Sequence, residues 1–91
     1  MIRSYGDKDT ERLANRQRVR RFASFERIAQ RKLRVLDSAS ALRDLQLPGL
    51  RLELLKGDRA GAYSIRINDQ WRVVFHWVDN HAENVIIEDY H

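Results

Sequence analysis

The chain has 91 residues, of which 43% are hydrophobic, and this suits one compact domain over residues 1–91 while excluding two independent cores and wholesale disorder. It contains no cysteine, which excludes a disulfide framework and a thiolate metal site. No apolar run approaches the roughly 20 residues that cross a bilayer. Met1–Tyr5 lacks the apolar stretch of a secretory signal, so we expect a cytoplasmic protein.

The net charge of +4 is distributed unevenly along the chain. Residues 1–45 contain twelve basic and six acidic side chains, a balance of +6, whereas residues 46–91 contain five and seven, a balance of −2. Fourteen of the seventeen cations are arginines, whose planar fork of donors suits phosphates and base edges. Nucleic acid or an acidic partner is therefore a candidate ligand, although charge alone does not separate this from a merely soluble basic surface.

The first half of the chain predicts a short strand, two helices and an arginine-rich connection. Met1–Tyr5 is compatible with a strand, and Asp7 or Asp9 with the N-cap of a short helix that passes Leu13. Asn15–Arg21 is rich in arginine and poor in apolar residues, which predicts an exposed arm or a mobile loop.

The second helix is the clearest element of the sequence, with Ser24 as its expected N-cap. Apolar residues recur at spacings of three and four, which predicts one buried stripe. The stripe contains Phe25, Ile28, Ala29, Leu33 and Leu36. Leu42, Leu45 and Leu47 are expected to close the core beyond this helix.

The second half predicts strands separated by short polar turns. The expected strands are Leu50–Leu55, Tyr63–Ile67, Trp71–Val78 and Asn84–Tyr90, the second and third with the alternation of a half-buried strand. The order of elements predicts an α+β domain, in which an N-terminal strand and two helices pack on an antiparallel sheet of about four to five strands.

Several polar groups are expected to converge at one end of this sheet. Arg72 lies near the start of the third of these strands, on the face opposite Trp71. The last strand ends in the acid, phenol and imidazole of Asp89-Tyr90-His91. If the last two strands form a hairpin, the start of one lies beside the end of the other, so Arg72 approaches this triplet.

This grouping has the chemistry that RNA cleavage needs. A base must deprotonate the 2′-OH, a cation must stabilise the phosphate, and an acid must protonate the leaving oxygen. Histidine serves as acid or base near neutrality, and arginine binds phosphate bidentately. Each residue alone also has a plain structural explanation: His91 as a solvated end, Tyr90 as a packing residue, and Asp89 as a surface acid or a partner of Arg72. We find no group of histidines and carboxylates that indicates a metal.

Three segments of the second half occur in an order and spacing typical of a known family. Leu54–Gly61 reads LLKGDRAG, Tyr63–Phe75 reads YSIRINDQWRVVF, and Glu88–His91 reads EDYH. Together with Met1–Tyr5 and the helix segment Arg31–Ala39, they closely resemble the HigB family of RelE-like toxins over nearly the whole chain.

The resemblance implies a RelE-like fold and ribosome-dependent cleavage of mRNA in the decoding site, with no cofactor. It implies that Arg72 stabilises the phosphate transition state, that Asp89 and His91 transfer protons, and that Tyr90 orients or stacks on the base. Which of Asp89, Tyr90 and His91 is the general base stays open. The resemblance also assigns Lys56 and Arg59 to the RNA backbone.

One residue departs from the family pattern: some relatives have a histidine where this chain has Glu53. The acid–base assignment therefore depends on whether Lys56 compensates or Glu53 weakens the activity. The implied partners are the ribosome, its mRNA and a HigA-like helix-turn-helix antitoxin. The toxin would contact operator DNA only indirectly, through this antitoxin. The arginine-rich first half would face ribosomal RNA, with binding that weakens in salt.

Two other interpretations come from different functional classes. A gyrase-directed, ParE-like toxin shares the fold but does not need the grouping of Arg72 with Asp89-Tyr90-His91. A basic RNA-binding module without catalysis usually exposes several aromatic rings on one sheet face. Here Trp71, Phe75 and Trp77 alternate with smaller residues in a pattern that predicts a core.

Overall fold

The computed structural model describes residues 1–89, and its helices and strands form an α+β fold, as the sequence predicts. The α-helices are α1 (Lys8–Ala14) and α2 (Glu26–Ser38), and the strands are β1 (Glu53–Leu54), β2 (Ala62–Arg66), β3 (Trp71–Val78) and β4 (His81–Asp89). The four strands are antiparallel and lie in the order β1-β2-β3-β4. Within residues 1–89 no helix is long and apolar enough to cross a membrane.

Helix α1 begins where the sequence allows a cap and is tied to the sheet by a buried hydroxyl. The Asp7 side chain accepts a hydrogen bond of 2.8 Å from the backbone N–H of Thr10, which is the N-cap contact. Thr10 is buried, and its Oγ1 accepts a 2.9 Å hydrogen bond from the backbone N–H of Ile87 in β4. This contact fixes the helix against the strand whose end carries Asp89.

The predicted start of α2 is wrong. A 3₁₀ turn over Arg20–Phe25 precedes the helix, and Phe25 occupies the N-cap position without a side-chain hydrogen bond. The turn buries Phe22 and Phe25, whose rings lie 5.7 Å and 5.0 Å from the ring of Trp71. Burial of two aromatic rings stabilises more than one cap contact, so packing overrides the capping preference of Ser24.

Two aliphatic residues that were expected in the core are exposed at the surface. Ile28 is 40% exposed, because the buried stripe of α2 runs through Ala29, Leu33 and Leu36 at spacings of four and three. Leu47 is 53% exposed, whereas Leu45 is fully buried and closes the core as predicted.

The arginine-rich connection is anchored at its C-terminal end. Val19 is buried, and the guanidinium of Arg21 lies 4.4 Å from the ring centroid of Phe22. Nε of Arg21 also donates to the carboxylate of Asp9 at 3.0 Å. The side chains of Arg16, Arg18 and Arg20 are exposed. The structure therefore confirms that the arginines in this part of the segment face the solvent.

The expected N-terminal strand is reduced to two isolated parallel bridges on the outer edge of β4, Ile2 with Ala82 and Tyr5 with Val85. Between them Asn84 has a φ of 54°, and the pairing of β3 with β4 shifts its register here. This bulge interrupts the ladder, so a continuous fifth strand does not form.

Strand boundaries also differ from the prediction at β1 and β4. Strand β1 covers only Glu53–Leu54 of the expected Leu50–Leu55, because a 3₁₀ turn ends at Leu50 and Arg51 adopts a left-handed φ of 48°. Strand β4 begins earlier than expected because Asp79 and Asn80, with φ of 50° and 64°, form a two-residue hairpin turn that matches the sheet twist.

Candidate active site

Arg72 lies on the sheet face that points away from the helices. Its neighbours Val73 and Phe75 face the core beneath α2, so alternation along β3 turns Arg72 to the other side. Nη1 of Arg72 donates to Oγ of Ser64 at 3.1 Å, and the same nitrogen lies 4.0 Å from Oε2 of Glu53. The side chain is 12% exposed, so strands β1 and β2 hold this guanidinium in a defined position.

A polar cleft of about 270 Å³ surrounds Arg72. Its lining residues come from the end of the sheet where β2 meets β3 and from the segment before β1; they are Arg51, Glu53, Ser64, Arg66, Asn68, Asp69, Trp71 and Arg72. Three of the eight are arginines, so the cleft offers several cationic donors to an anionic ligand.

Sequence reasoning missed two of these arginines. Arg66 is the direct cross-strand partner of Arg72, so both side chains point to the same face, and Arg66 forms an ion pair with Asp69. The sequence carried a signal for Arg66, because the predicted strands Tyr63–Ile67 and Trp71–Val78 leave only Asn68-Asp69-Gln70 as the turn, which fixes this register. Arg51 reaches the cleft through its left-handed backbone, which no sequence pattern indicated.

Asp89 lies at the end of β4, beside the start of β3, as the hairpin argument predicts. It is the cross-strand partner of Trp71, so strand alternation directs its side chain to the face of Trp71 and not to that of Arg72, and its Oδ2 accepts a 3.0 Å hydrogen bond from Nε2 of Gln70. The residue on the Arg72 face at this end of β4 is Glu88. The other two members of the predicted triplet, Tyr90 and His91, lie outside the described residues.

Lys56 and Arg59 belong to the turn between β1 and β2, which requires positive φ at Gly57 (70°) and Gly61 (93°). Arg59 donates from both Nη atoms to the two carboxylate oxygens of Glu88, at 2.6 and 2.8 Å. The hydrogen bonding of Arg59 to this carboxylate raises the pKa of the guanidinium above its ordinary value. Lys56 is exposed.

Glu53, the departure from the family pattern, lies directly beside the central arginine. Strand β1 pairs Glu53 with Ser64, so carboxylate, hydroxyl and guanidinium share one face of the sheet. The Glu53 side chain is 58% exposed and therefore accessible from the cleft.

Chemically, the cleft offers an anion three guanidinium groups and places the carboxylates of Glu53 and Asp69 next to them. A guanidinium held by neighbouring strands stabilises charge that develops on a phosphate without having to reorganise. Within residues 1–89 no group of three or more histidine and acidic side chains is arranged to hold a metal ion.

Solved structures share this fold. A chain of the "YoeB-YefM complex from Staphylococcus aureus" superposes with a TM-score of 0.62 at 21% identity, covering 100% of this chain and 98% of that chain. A chain of the "heterotetrameric complex of YoeB-YefM toxin-antitoxin from Staphylococcus aureus" gives 0.64 at 22% identity with the same coverage. The class is therefore that of small α+β proteins with the fold found in these toxin–antitoxin complexes.

The sequence comparisons identify the family within this class. The family model described as "RelE-like toxin of type II toxin-antitoxin system HigB" matches residues 2–91, so the chain belongs to the HigB-like toxins. "Toxin HigB-1" of Vibrio cholerae is 45% identical over 67 residues, 72% of this chain and 70% of that protein. "Endoribonuclease HigB" of Proteus vulgaris is 36% identical over 60 residues, 66% of this chain and 65% of that protein.

Proposed function

We propose that this HigB-like toxin is an endoribonuclease that cleaves mRNA on the ribosome and thereby arrests translation and growth in the cytoplasm. The observation that carries the proposal is Arg72, a largely buried guanidinium fixed between Ser64 and Glu53 in a cleft that two further arginines line. A relative that covers two thirds of the chain bears the name of an endoribonuclease, which supports the same activity.

The proposed reaction is an internal transesterification. The 2′-oxygen forms a bond to the adjacent phosphorus while the bond to the 5′-oxygen breaks, which yields a 2′,3′-cyclic phosphate and a 5′-OH. A base on the protein accepts the 2′-OH proton, and an acid donates a proton to the leaving 5′-oxygen. Arg72 stabilises the negative charge on the phosphate in the transition state.

The proton transfers are assigned to the end of β4, which lies beside the start of β3. Asp89 lies there, and we assign Tyr90 and His91 to the same site on the family resemblance. Glu53 takes a different role in this proposal: at 4.0 Å from Arg72 it orients the guanidinium. Lys56, exposed in the turn before β2, contacts the RNA backbone.

A second cationic surface supports the ribosome as the site of action. Arg27, Arg31 and Arg34 recur at spacings of four and three along α2, so they line one face of the helix, and all three are exposed. The helices cover the core side of the sheet, and Arg72 faces the other side. A toxin that acts on the ribosome would use both surfaces, because the cleft would bind the mRNA while the arginines of α2 would bind ribosomal RNA.

The antitoxin follows from the family, and we propose that it is a HigA-like helix-turn-helix protein that connects the toxin to operator DNA. The antitoxin would inhibit the toxin either by covering the cleft or by blocking its entry into the ribosome from another surface. The gyrase-directed alternative is disfavoured because the matching family model and both relatives are HigB toxins.

The deciding experiment maps mRNA 5′-ends after induction of the wild type, of Arg72→Ala and of a chain that lacks His91. We expect new codon-positioned ends with the wild type and a loss on the order of 100-fold with Arg72→Ala, the size seen when one transition-state donor is removed. Loss on deletion of His91 would place the C-terminus in the site. Growth arrest by the wild type without new ends would overturn the nuclease and favour a gyrase-directed toxin.

A further inference from the structure

The bidentate pair between Arg59 and Glu88 lies at a chemically sensitive position. Glu88 is the direct cross-strand partner of Arg72, so its carboxylate and the Arg72 guanidinium point to the same face of the sheet. An arginine and a glutamate opposite each other on antiparallel strands are close enough to form an ion pair. In this structure both oxygens of Glu88 are instead used by Arg59, at 2.6 and 2.8 Å.

Arg59 comes from far away in sequence to make this contact. It lies at the end of the 3₁₀ turn Gly57–Arg59, none of whose residues is buried. The turn leads into the start of β2, where Ala62 pairs with His76 of β3. Its Arg59 side chain nevertheless contacts Glu88, which lies at the other end of the sheet, opposite Arg72. The turn thus folds over the same face that carries Arg72.

The pair has an electrostatic consequence for the cleft. A carboxylate beside Arg72 competes with a phosphate for the same donors, because both are anions that accept two hydrogen bonds from a guanidinium. Because Arg59 donates two hydrogen bonds to Glu88, the negative charge of this carboxylate is balanced and its oxygens point toward Arg59. The fork of Arg59 is also occupied, which leaves it fewer donors for an RNA backbone.

We infer that Arg59 is a positioning residue that acts through Glu88: it holds this carboxylate away from Arg72 and so preserves Arg72 as a phosphate-binding group. This inference rests on the proposed nuclease function and refines it. It differs from the assignment of Arg59 to the RNA backbone, in which Arg59 contacts the substrate directly.

The two roles predict opposite results for a double variant. If Arg59 acts through Glu88, Arg59→Ala releases the carboxylate onto Arg72, where it competes with the phosphate. We then expect weaker binding of a 2′-O-methyl mRNA and a kcat lowered by about tenfold or more, a smaller loss than removal of the transition-state donor itself would cause. Glu88→Gln removes the competitor and stays within about threefold of the wild type, and Arg59→Ala/Glu88→Gln recovers to the same level. A direct contact between Arg59 and the RNA predicts that the double variant stays as impaired as Arg59→Ala in both cleavage and binding.

The assay measures cleavage of mRNA on programmed ribosomes, with affinity for a 2′-O-methyl mRNA as a readout that needs no chemistry. The matched control is Arg3→Ala, because Arg3 forms the comparable exposed pair with Glu83 near the other end of β4. The side chains of Arg3 and Glu83 are 41% and 29% exposed, against 45% and 27% for Arg59 and Glu88. Arg3→Ala should cleave like the wild type.

The outcomes separate the inference from the function on which it rests. Rescue in the double variant supports the inference. Wild-type cleavage by Arg59→Ala, or failure of Glu88→Gln to rescue it, overturns the inference and leaves the nuclease intact. Absence of cleavage by the wild type overturns the proposed function, and restored binding of the 2′-O-methyl mRNA in the double variant would still show that Arg59 acts through Glu88.

Discussion

At the scale of single residues, the state of Arg72 is set by neighbours on three strands. Ser64 accepts its hydrogen bond, Glu53 lies 4.0 Å away, and Glu88 is its cross-strand partner but is held by Arg59. An arginine so surrounded is ordered before substrate arrives, and this preorganisation is what transition-state stabilisation requires.

Replacing Glu53 tests whether this carboxylate orients Arg72 or accepts a proton. We expect Glu53→Gln to lower kcat by several-fold to about tenfold, because a neutral amide still accepts a hydrogen bond but attracts the guanidinium less. The acidic limb of the pH profile of kcat should stay where it is in the wild type. Disappearance of that limb in Glu53→Gln would mean that Glu53 is the general base and that its role here is wrong.

At the scale of secondary-structure elements, the sheet was largely predictable and its edges were not. The alternation in β2 and β3 and the short polar turn between them predicted the register that pairs Arg66 with Arg72, and the hairpin argument predicted that the end of β4 lies beside the start of β3. The bulge at Asn84 and the left-handed Arg51 depend on tertiary contacts and leave no periodic signal. For the same reason the sequence indicated Arg72 and missed Arg51 as a cleft residue.

The contact between α1 and β4 gives a prediction about stability. Thr10→Val keeps the shape of the side chain but leaves the buried N–H of Ile87 without an acceptor, so we expect a loss of about 1–3 kcal/mol in the free energy of unfolding. Thr10→Ser keeps the hydroxyl and should lose less. Urea unfolding and hydrogen exchange at the Ile87 amide provide the measurements; equal stability of Thr10→Val and the wild type would contradict the assigned role.

The 3₁₀ turn Leu42–Leu45 gives a prediction about pH. Asp44 accepts hydrogen bonds from the backbone N–H groups of Ser40 and Ala41 at 2.9 and 3.1 Å, and these bonds lower its pKa. A lowered pKa in the folded state contributes stability that is present above the unfolded pKa of about 3.9 and disappears as the pH falls through the folded value. Asp44→Asn should therefore be less stable than the wild type at pH 7, with a smaller gap at pH 3, which lies below the unfolded pKa. An unchanged gap in urea midpoints at the two pH values would refute the linkage.

At the scale of the whole molecule, two cationic surfaces lie on opposite sides of the sheet. The cleft around Arg72 faces away from the helices, and the arginines of α2 face outward from the helix layer. Arg27, Arg31 and Arg34 form no ion pair within residues 1–89, so their charge is available to a polyanion. The uneven charge of the sequence predicted this surface, but only the fold shows that it is separate from the cleft.

This separation predicts that the two surfaces affect different kinetic parameters. Arg31→Gln should raise the KM for ribosomes and lower the slope of log affinity against log salt by about one, the change expected for one lost phosphate contact, while kcat at saturating ribosomes stays at the wild-type value. Arg43→Gln removes the same charge from an exposed arginine of the 3₁₀ turn Leu42–Leu45 and serves as the control. If both substitutions change the salt slope equally, net charge alone governs ribosome binding. If Arg31→Gln instead lowers kcat with KM unchanged, the α2 surface takes part in cleavage and the assignment of two separate surfaces is wrong.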